Sequence, residues 1–580
     1  MNKKTKIGTF VEVLEKKAFI SPKKVAFTYL NKGGIKETIT YEELINEVKQ
    51  MAGFMQQNNY TGKRALIMYP SSIMYIKVFL ACMFANVVAI PVYPPTLSKN
   101  MDRIKNIMTD SKASLIFTSK SLNTRLNNRL TDGNNKKQND FQWICLEDIT
   151  LPSVSAWSFP NIHNETVAFL QYTSGSTSEP KGVMVTHNNI VCNEEMIKNS
   201  FETTKNSVIL GWLPMYHDMG LIGNVLHPLY LGATGILMDP MDFLQKPFRW
   251  LKAISDYQVD VSGGPNFAYE LCLKKITDEE LHSLNLTSWE VAFNGAEPIS
   301  SDTIENFQRR FAICGFKENR FYPCYGLAEA TLFVSGGKRH EKPIIKNFDS
   351  EELKQNRAIE VNDNKINSTS IVSCGIASVN QTVIVVDPKT KKIRPDGIVG
   401  EIWVKGDNVA SGYLNDHTPE VFTGSVDGVD GFFLKTGDLG FIQQANLYVT
   451  GRNKDLIVIR GKNYYPQDIE RLIEKYSCIR DGCSAAFSVT HQHEEKLVIV
   501  AELERIYRPR VGKQHESFQP KDFFSSFRKR IMEELGVQPF AIKLIKTGSI
   551  LKTSSGKIRR GDCKQAYETG QLITWYEQNR

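Results

Sequence analysis

Tyr172-Thr173-Ser174-Gly175-Ser176-Thr177-Ser178-Glu179-Pro180-Lys181-Gly182 decides how the rest of this chain is read. Only Gln171 separates it from the apolar run Val167-Ala168-Phe169-Leu170, so a buried strand runs into a tight loop. In such a loop glycine lets backbone N–H groups approach an anion, and Ser and Thr hydroxyls add uncharged donors. Lys181 adds one compact positive charge. The ligand these groups suit is a polyphosphate. The stretch is not a Walker loop, because no G-x-x-x-x-G-K-[ST] is present. Met alone, a Ser/Gly cluster of this kind also reads as a polar surface loop.

Outward from the loop, strands and helices alternate. Thr40-Tyr41-Glu42-Glu43 is a capping box, continued by Leu44, Val48, Met51 and Met55 at helical spacing. The residues 64–69 read as a strand, 74–85 as a helix, 87–92 and 115–118 as strands, and the polar stretch Asn123–Asp140 as a surface excursion. Beyond the loop, 207–214 and 234–238 read as buried strands, and 259–265 and 290–295 as strand-to-loop transitions. The alternation implies βαβ units and a largely parallel sheet, whose ligand sites fall at the carboxyl ends of strands. Lys338–Thr369 breaks the pattern. It is charged, rich in Asn and Lys and poor in aromatics, and by itself it reads as a solvated loop or insertion. From Val383 the chain is strand-rich, as in a smaller β subdomain, and Gly451-Arg452-Asn453-Lys454-Asp455 reads as a hinge before a separate small α/β domain.

At 580 residues the chain exceeds one ordinary core, and 41% hydrophobic with 23% charged residues is a globular composition. The net charge of +8 suits anionic ligands, and no arginine-rich arm or zinc spacing points to nucleic acid. Ten scattered cysteines without CxxC, and no apolar h-region after the basic N-terminus, lead to the expectation of a cytoplasmic protein. The apolar run Val78–Val92 is too short to span a membrane.

Further stretches carry chemistry. In Trp212-Leu213-Pro214-Met215-Tyr216-His217-Asp218-Met219-Gly220, His217 and Asp218 suit the positioning of a carboxylate or metal; a lone loop His is also commonly held by local hydrogen bonds. Asn294-Gly295-Ala296-Glu297-Pro298 ends a strand. In Tyr325-Gly326-Leu327-Ala328-Glu329 an aromatic can stack on a purine, and a carboxylate can hold Mg²⁺ against phosphate oxygens. Asp438, in Lys435-Thr436-Gly437-Asp438, is placed to accept ribose hydroxyls, although Asp in a turn also caps locally. Lys552-Thr553-Ser554-Ser555-Gly556-Lys557 is either a basic tail or a loop that brings Lys557 to an anion.

Together, and in this order, these stretches resemble the adenylate-forming superfamily of acyl-CoA synthetases, adenylation domains, luciferases and fatty acyl-AMP ligases. The Tyr-His-Asp-Met-Gly form is most similar to bacterial fatty acyl-AMP ligases. The resemblance covers nearly the whole chain and implies an α/β fold. A large AMP-binding domain over residues 1–453 would comprise two βα-type subdomains and a small β subdomain, with a probable ligase-specific insertion at 338–370. A small mobile α+β domain over residues 454–580 would carry the catalytic lysine. It implies that Thr173, Ser174, Gly175, Ser176, Thr177 and Lys181 hold the phosphates of ATP, and that Glu329, with Thr173, serves Mg²⁺. Asn294, Gly295, Ala296, Tyr325 and Gly326 would line the adenine, and Asp438 and Arg452 the ribose. Lys557 would act at the reacting centre, His217 beside it. Lys454 would be the hinge, and Trp212, His217 and Asp218 would border the acyl carboxylate. One departure from the pattern is Leu551, where the family usually has Pro.

The implied activity is ATP-dependent conversion of a medium- or long-chain fatty acid to its acyl-adenylate with release of pyrophosphate. The acyl group would then pass to the phosphopantetheine thiol of an acyl carrier protein. The alternative is a fatty acyl-CoA synthetase, with a non-catalytic nucleotide-binding protein more remote and a basic RNA-binding protein equally so. Trp212 and Phe267 are candidates for the wall of an acyl tunnel, or for core.

Overall fold

Ile73–Phe84 is apolar on nearly every side, and every residue of it but Met74 is buried. A helix of this kind has to lie between other layers. Here it packs against the strands Arg64–Met68 and Val88–Pro91 and against the helix Tyr41–Gln57, which in turn covers Val25–Asn31 and Gly34–Thr40. Two sheets thus share a helical layer. Lys77, its one charged residue, is neutralised by Glu47 at 2.9 Å. The computed structural model describes residues 8–94, 101–130, 141–173, 180–362, 367–416, 418–492, 494–507, 518–553 and 556–579.

The first sheet has six strands among the described residues, in the order Gln142–Ile144, Leu115–Thr118, Arg64–Met68, Val88–Pro91, Val167–Tyr172 and Gly182–Thr186. It is parallel except for the last pair, where Tyr172 faces Gly182 across an antiparallel ladder. The stretch 173–181 therefore connects two paired strands at one sheet edge. The second sheet has nine strands among the described residues. Its parallel centre runs Phe321–Gly326, Val291–Asn294, Val261–Gly264, Val208–Gly211, Thr234–Met238 and Val25–Asn31. A smaller antiparallel sheet contains Gln381–Val386, Gly400–Gly406, Gly424–Val426, Val429–Gln443 and Asn446–Arg452. The C-terminal part has a four-stranded sheet, Ile479–His491, Glu494–Leu503, Pro539–Ile545 and Thr574–Asn579, with the helices Pro466–Glu474, Pro520–Leu535 and Arg560–Glu568. Ile469, Ile473, Ile499, Phe527 and Leu544 belong to a core of its own. Among the described residues no helix is long and apolar enough to cross a membrane.

The polar stretch Asn123–Asp140 begins inside the helix Lys120–Leu130; 131–140 lies outside the described residues. One local expectation is corrected. The described part of Lys338–Thr369, all but 363–366, is folded rather than a solvated loop. Ile345–Asp349 pairs antiparallel with Ser368–Val372, and a short helix, Ser350–Leu353, follows the first strand. Composition hid this because few residues do the anchoring: Phe348 is 0% exposed and joins Leu353 and Ala358 in a cluster with Val399, Phe441 and Tyr448. The opposite side of the helical turn meets the C-terminal part. Lys354 Nζ donates to Leu535 O at 2.8 Å, Asn463 N donates to Lys354 O at 3.1 Å, and Asn463 Nδ2 donates to Asn356 Oδ1 at 2.9 Å. Lys462 bridges Glu351 at 2.8 Å.

Candidate active site

The carboxyl ends of the strands of the larger sheet open into a cleft of about 2500 Å³, closed from above by the C-terminal part. Of the described candidate site residues, all but Asn294, Gly295 and Asp438 line this cleft. Ser174, Gly175, Ser176 and Thr177 fall outside the described residues. At the ends of that loop, Thr173 N donates to Lys181 O at 3.1 Å, and Arg103 Nη2 donates to Thr173 O at 3.3 Å. Lys181 Nζ donates to Thr418 Oγ1 at 2.9 Å and lies 5.2 Å from the centre of the Tyr413 ring.

Asp438 and Arg452 are direct cross-strand partners, which explains why residues so far apart in sequence act together. Arg452 Nε donates to Asp438 Oδ1 at 3.1 Å, and Tyr325 OH donates to the other carboxylate oxygen at 2.7 Å. The Asp438 charge raises the Arg452 pKa. Tyr325 is thereby fixed by its hydroxyl while its ring borders the cleft. Gly326 cannot be replaced without movement, since a Cβ there would lie 1.9 Å from Leu332 O. Glu329 Oε1 accepts from Tyr413 OH at 2.7 Å. Sequence reading missed Tyr413, a residue 84 positions away with no motif to mark it.

The strand Val291–Asn294 ends with Asn294, which is fully buried and donates through Nδ2 to Asn266 Oδ1 at 3.3 Å. Gly295 passes so close to Cys324 that a Cβ would lie 2.8 Å from its carbonyl oxygen, and Ala296 takes a positive φ of 67°. Next comes Glu297, a second residue the sequence reading left without a role. Its Oε1 accepts from Phe267 N at 2.6 Å. Burial, reinforced by nearby Glu270, pushes its carboxyl up to about 7, against the pull of Lys557 and Lys552.

His217 forms an ion pair with Asp218, whose Oδ1 also accepts from Met219 N at 2.7 Å. Burial would raise the Asp218 pKa, but His217 and then Lys557 outweigh it and hold the carboxyl at about 2. A π-helical stretch, Met219–Leu226, follows. The turn into it requires Gly220, because a Cβ would lie 2.1 Å from Pro214 O. Trp212 is almost wholly buried, stacked on Phe243 with ring centres 3.9 Å apart and edge-on to Phe267, so it is both core and cleft wall.

Lys557 reaches this cleft from the C-terminal part. Its loop is braced by Thr553 N to Lys557 O at 2.8 Å and Lys557 N to Thr553 Oγ1 at 3.1 Å. Burial lowers its pKa, and Arg452 adds to this, while Asp218, Glu297 and Asp438 oppose it. These three acids come from three separate segments, and the ammonium is the charge they share. Lys454 also borders the cleft, its pKa lowered by burial and then by Arg452. Arg560 donates to Glu470 at 2.6 and 2.7 Å and to Asp455 at 3.3 Å, tying residues 453–455 to the end of the loop that carries Lys557.

The cleft thus brings together a fixed carboxylate–guanidinium pair, a second oriented carboxylate and a lysine from a separate core. The chain belongs to the AMP-binding enzyme family, whose profile matches residues 14–414. It is 37% identical over 583 residues to the medium-chain-fatty-acid–[acyl-carrier-protein] ligase JamA of Moorena producens (strain JHB), covering 99% of this chain and 97% of that protein. It is 36% identical over 591 residues to the corresponding ligase TtuA of Teredinibacter turnerae, covering 93% and 90%. Among solved structures, a fatty acyl-adenylate ligase from Legionella pneumophila, in complex with acyl adenylate and pyrophosphate, is 37% identical, with a TM-score of 0.75 over 98% of each chain. The fold is accordingly that of an adenylate-forming enzyme, with a large N-terminal and a small C-terminal domain.

Proposed function

We propose that this protein is a fatty acyl-AMP ligase that activates a medium- or long-chain fatty acid with ATP and passes it to an acyl carrier protein. The observation that carries this reading is the convergence of Lys557, Asp218, Asp438–Arg452 and Glu329 on one cleft. A fatty-acid carboxylate oxygen attacks the α-phosphorus, the bond to the β-phosphate oxygen breaks, and pyrophosphate leaves. No protein nucleophile is required, so positioning and charge carry the step. Asp438 accepts the ribose hydroxyls while Arg452 and the Tyr325 hydroxyl hold it in place. The Tyr325 ring lies along the adenine with the 294–296 backbone. Thr173 and Lys181 hold the phosphates. His217 and Asp218 border the fatty-acid carboxylate, and the Lys557 ammonium stands beside it and offsets the charge that develops at phosphorus.

Glu329 fits Mg²⁺, which commonly takes one or two carboxylates and keeps waters and phosphate oxygens for the rest. Among the described residues, Tyr413 holds one Glu329 oxygen. When bound with Thr173 and Glu329, the ion would neutralise phosphate charge. We place the domain boundary at 453/454, with Lys454 as the hinge, and the protein in the cytoplasm. Its ten cysteines are all free, as suits a reducing compartment.

The second reading, a fatty acyl-CoA synthetase, shares the first half-reaction. The polar contacts of Lys354 and Asn356 with the small domain favour a carrier protein as acceptor, since CoA ligation would require that domain to leave this position. Mass spectrometry of purified protein with Mg-ATP and a panel of fatty acids, with and without CoA, tests both. Acyl-AMP that persists with CoA and disappears with a holo-carrier protein supports the proposal. Prompt acyl-CoA overturns the choice of acceptor, and absence of any adenylate overturns the substrate class.

A further inference from the structure

The helix Phe10–Ile20 buries Phe10, Val11, Leu14 and Ala18, a stripe with helical spacing. Phe19 falls off that stripe, where a polar residue would be ordinary, yet it is a phenylalanine and 88% exposed. Ile20 beside it is 61% exposed. The two apolar side chains form a protruding tip rather than the lining of a groove.

Around this tip lie cations from three segments. Lys16 and Lys17 precede it and Lys23 and Lys24 follow. Lys198 and Lys205 come from the end of the helix His187–Phe201 and from just beyond it. Lys24 Nζ donates to Lys205 O, which brings the segments together, and burial, then Lys198 and Lys16, lower the Lys17 pKa, as burial and then Lys205 lower that of Lys24. Lys17 Nζ donates to Leu231 O at 3.2 Å and Lys24 Nζ to Gly232 O at 2.8 Å, so both sit at the carboxyl end of the helix His227–Leu231. Lys198 pairs with Glu195 and Lys23 with Glu42. Among the described residues Lys16, Lys17, Lys24 and Lys205 form no ion pair. Residues 1–24 carry seven lysines and two glutamates, which gives them +5 of the chain's net +8.

We propose that this corner docks the enzyme on an anionic lipid surface, with Phe19 and Ile20 seated among the headgroups and the surrounding lysines facing lipid phosphates. Exposed aromatic and aliphatic tips ringed by lysine suit an interface that is apolar just below a layer of negative charge, and such a surface demands no fixed geometry. A folded acidic partner would instead favour a concave or flat apolar patch. The helix packs on His187–Phe201 and His227–Leu231. Those two helices also supply Ile197, Phe201 and His227 to the cleft. The docking corner and the wall of the cleft are thus built on shared elements, which would present the enzyme where fatty acids partition.

Co-sedimentation of the full chain with vesicles tests this without reference to catalysis. Phosphatidylcholine vesicles containing about 30% phosphatidylglycerol should retain the protein at about 0.1 M NaCl and release it at about 0.5 M, and pure phosphatidylcholine should not retain it. Phe19→Ser with Ile20→Ser should abolish retention, and Lys16→Glu and Lys205→Glu should each weaken partitioning about fivefold or more. Adenylate formation in detergent-free solution should stay at the wild-type rate for all of these, which also shows that they fold. Wild-type protein that ignores anionic vesicles, or variants that bind as well as wild type, would overturn the proposal. So would variants that keep vesicle binding but lose acyl transfer to a purified holo-carrier protein, an outcome that assigns the surface to an acidic protein.

Discussion

The small domain touches the rest of the chain on two faces, and they are held by different forces. On the face toward the 345–372 segment it is held by short-range hydrogen bonds with defined donors and acceptors, Lys354 to Leu535 O and Asn463 to Lys354 O and Asn356. On the face toward the cleft, Lys274 pairs with Asp481, and Lys557 lies buried in the field of Asp218, Glu297 and Asp438, which opposes the lowering of its pKa by burial. Hydrogen bonds fix a position, whereas an unscreened field fixes only a direction and can be redirected by a ligand that brings its own charge. The first face thus behaves as a fixture and the second as a site prepared for an anion.

Substitutions can break or sharpen this contrast. Lys557→Ala should reduce fatty-acid-dependent ATP–pyrophosphate exchange by about 10²- to 10³-fold with little change in nucleotide affinity, as expected for a group acting on developing charge. A loss under tenfold would mean that the cleft face is not the reacting one. Asp438→Ala leaves Arg452 and the Tyr325 hydroxyl without their shared acceptor. It should weaken ATP binding by about 10- to 100-fold in calorimetric titration. Lys354→Ala removes the contact to Leu535 O and should leave adenylation unchanged while raising acyl-CoA formation about two- to tenfold. Unaltered CoA use would show that this face does not restrain the domain.

The smallest effect is expected from Glu297→Gln. The folded-state carboxyl sits at about 7, above its ordinary value of 4.5, so between these pH values the folded chain keeps a proton that the unfolded chain has released. Stability should therefore fall as pH rises through this window. Glutamine does not titrate, so the variant should melt about 1–2 °C higher than wild type at pH 8 and gain less at pH 5. A gain independent of pH would place the strain elsewhere.

Periodicity and turn chemistry made most of the scaffold legible. The strands at 234–238 and 115–118 and the helix beginning at Tyr41 lie where spacing and capping put them. Part of the cleft was legible where a glycine stood beside a chemical residue, as with Lys557 after Gly556; Asp438, read in a turn, lies instead inside the strand Val429–Gln443 opposite Arg452. Tyr413 and Glu297 were not, because their parts depend on partners brought close only by folding. The 338–369 segment misled for a different reason. Its composition is that of a solvated chain, and Phe348 with the two smaller side chains Leu353 and Ala358 does not shift an average, yet these three suffice to anchor a pair of strands.

The strand Asn446–Arg452 is zipped to its neighbour as far as Arg452, and Asp455 is tied to Arg560. Between these two anchorages stand only Asn453 and Lys454. With the hinge proposed at Lys454, a pivot this short would act like a single pin through a door: torsion would not spread along the chain, so the small domain, once freed from the contacts of Lys354 and Asn463, would travel only on an arc. Whatever new surface swung in toward the cleft would then do so in the same movement that carried Lys557 out.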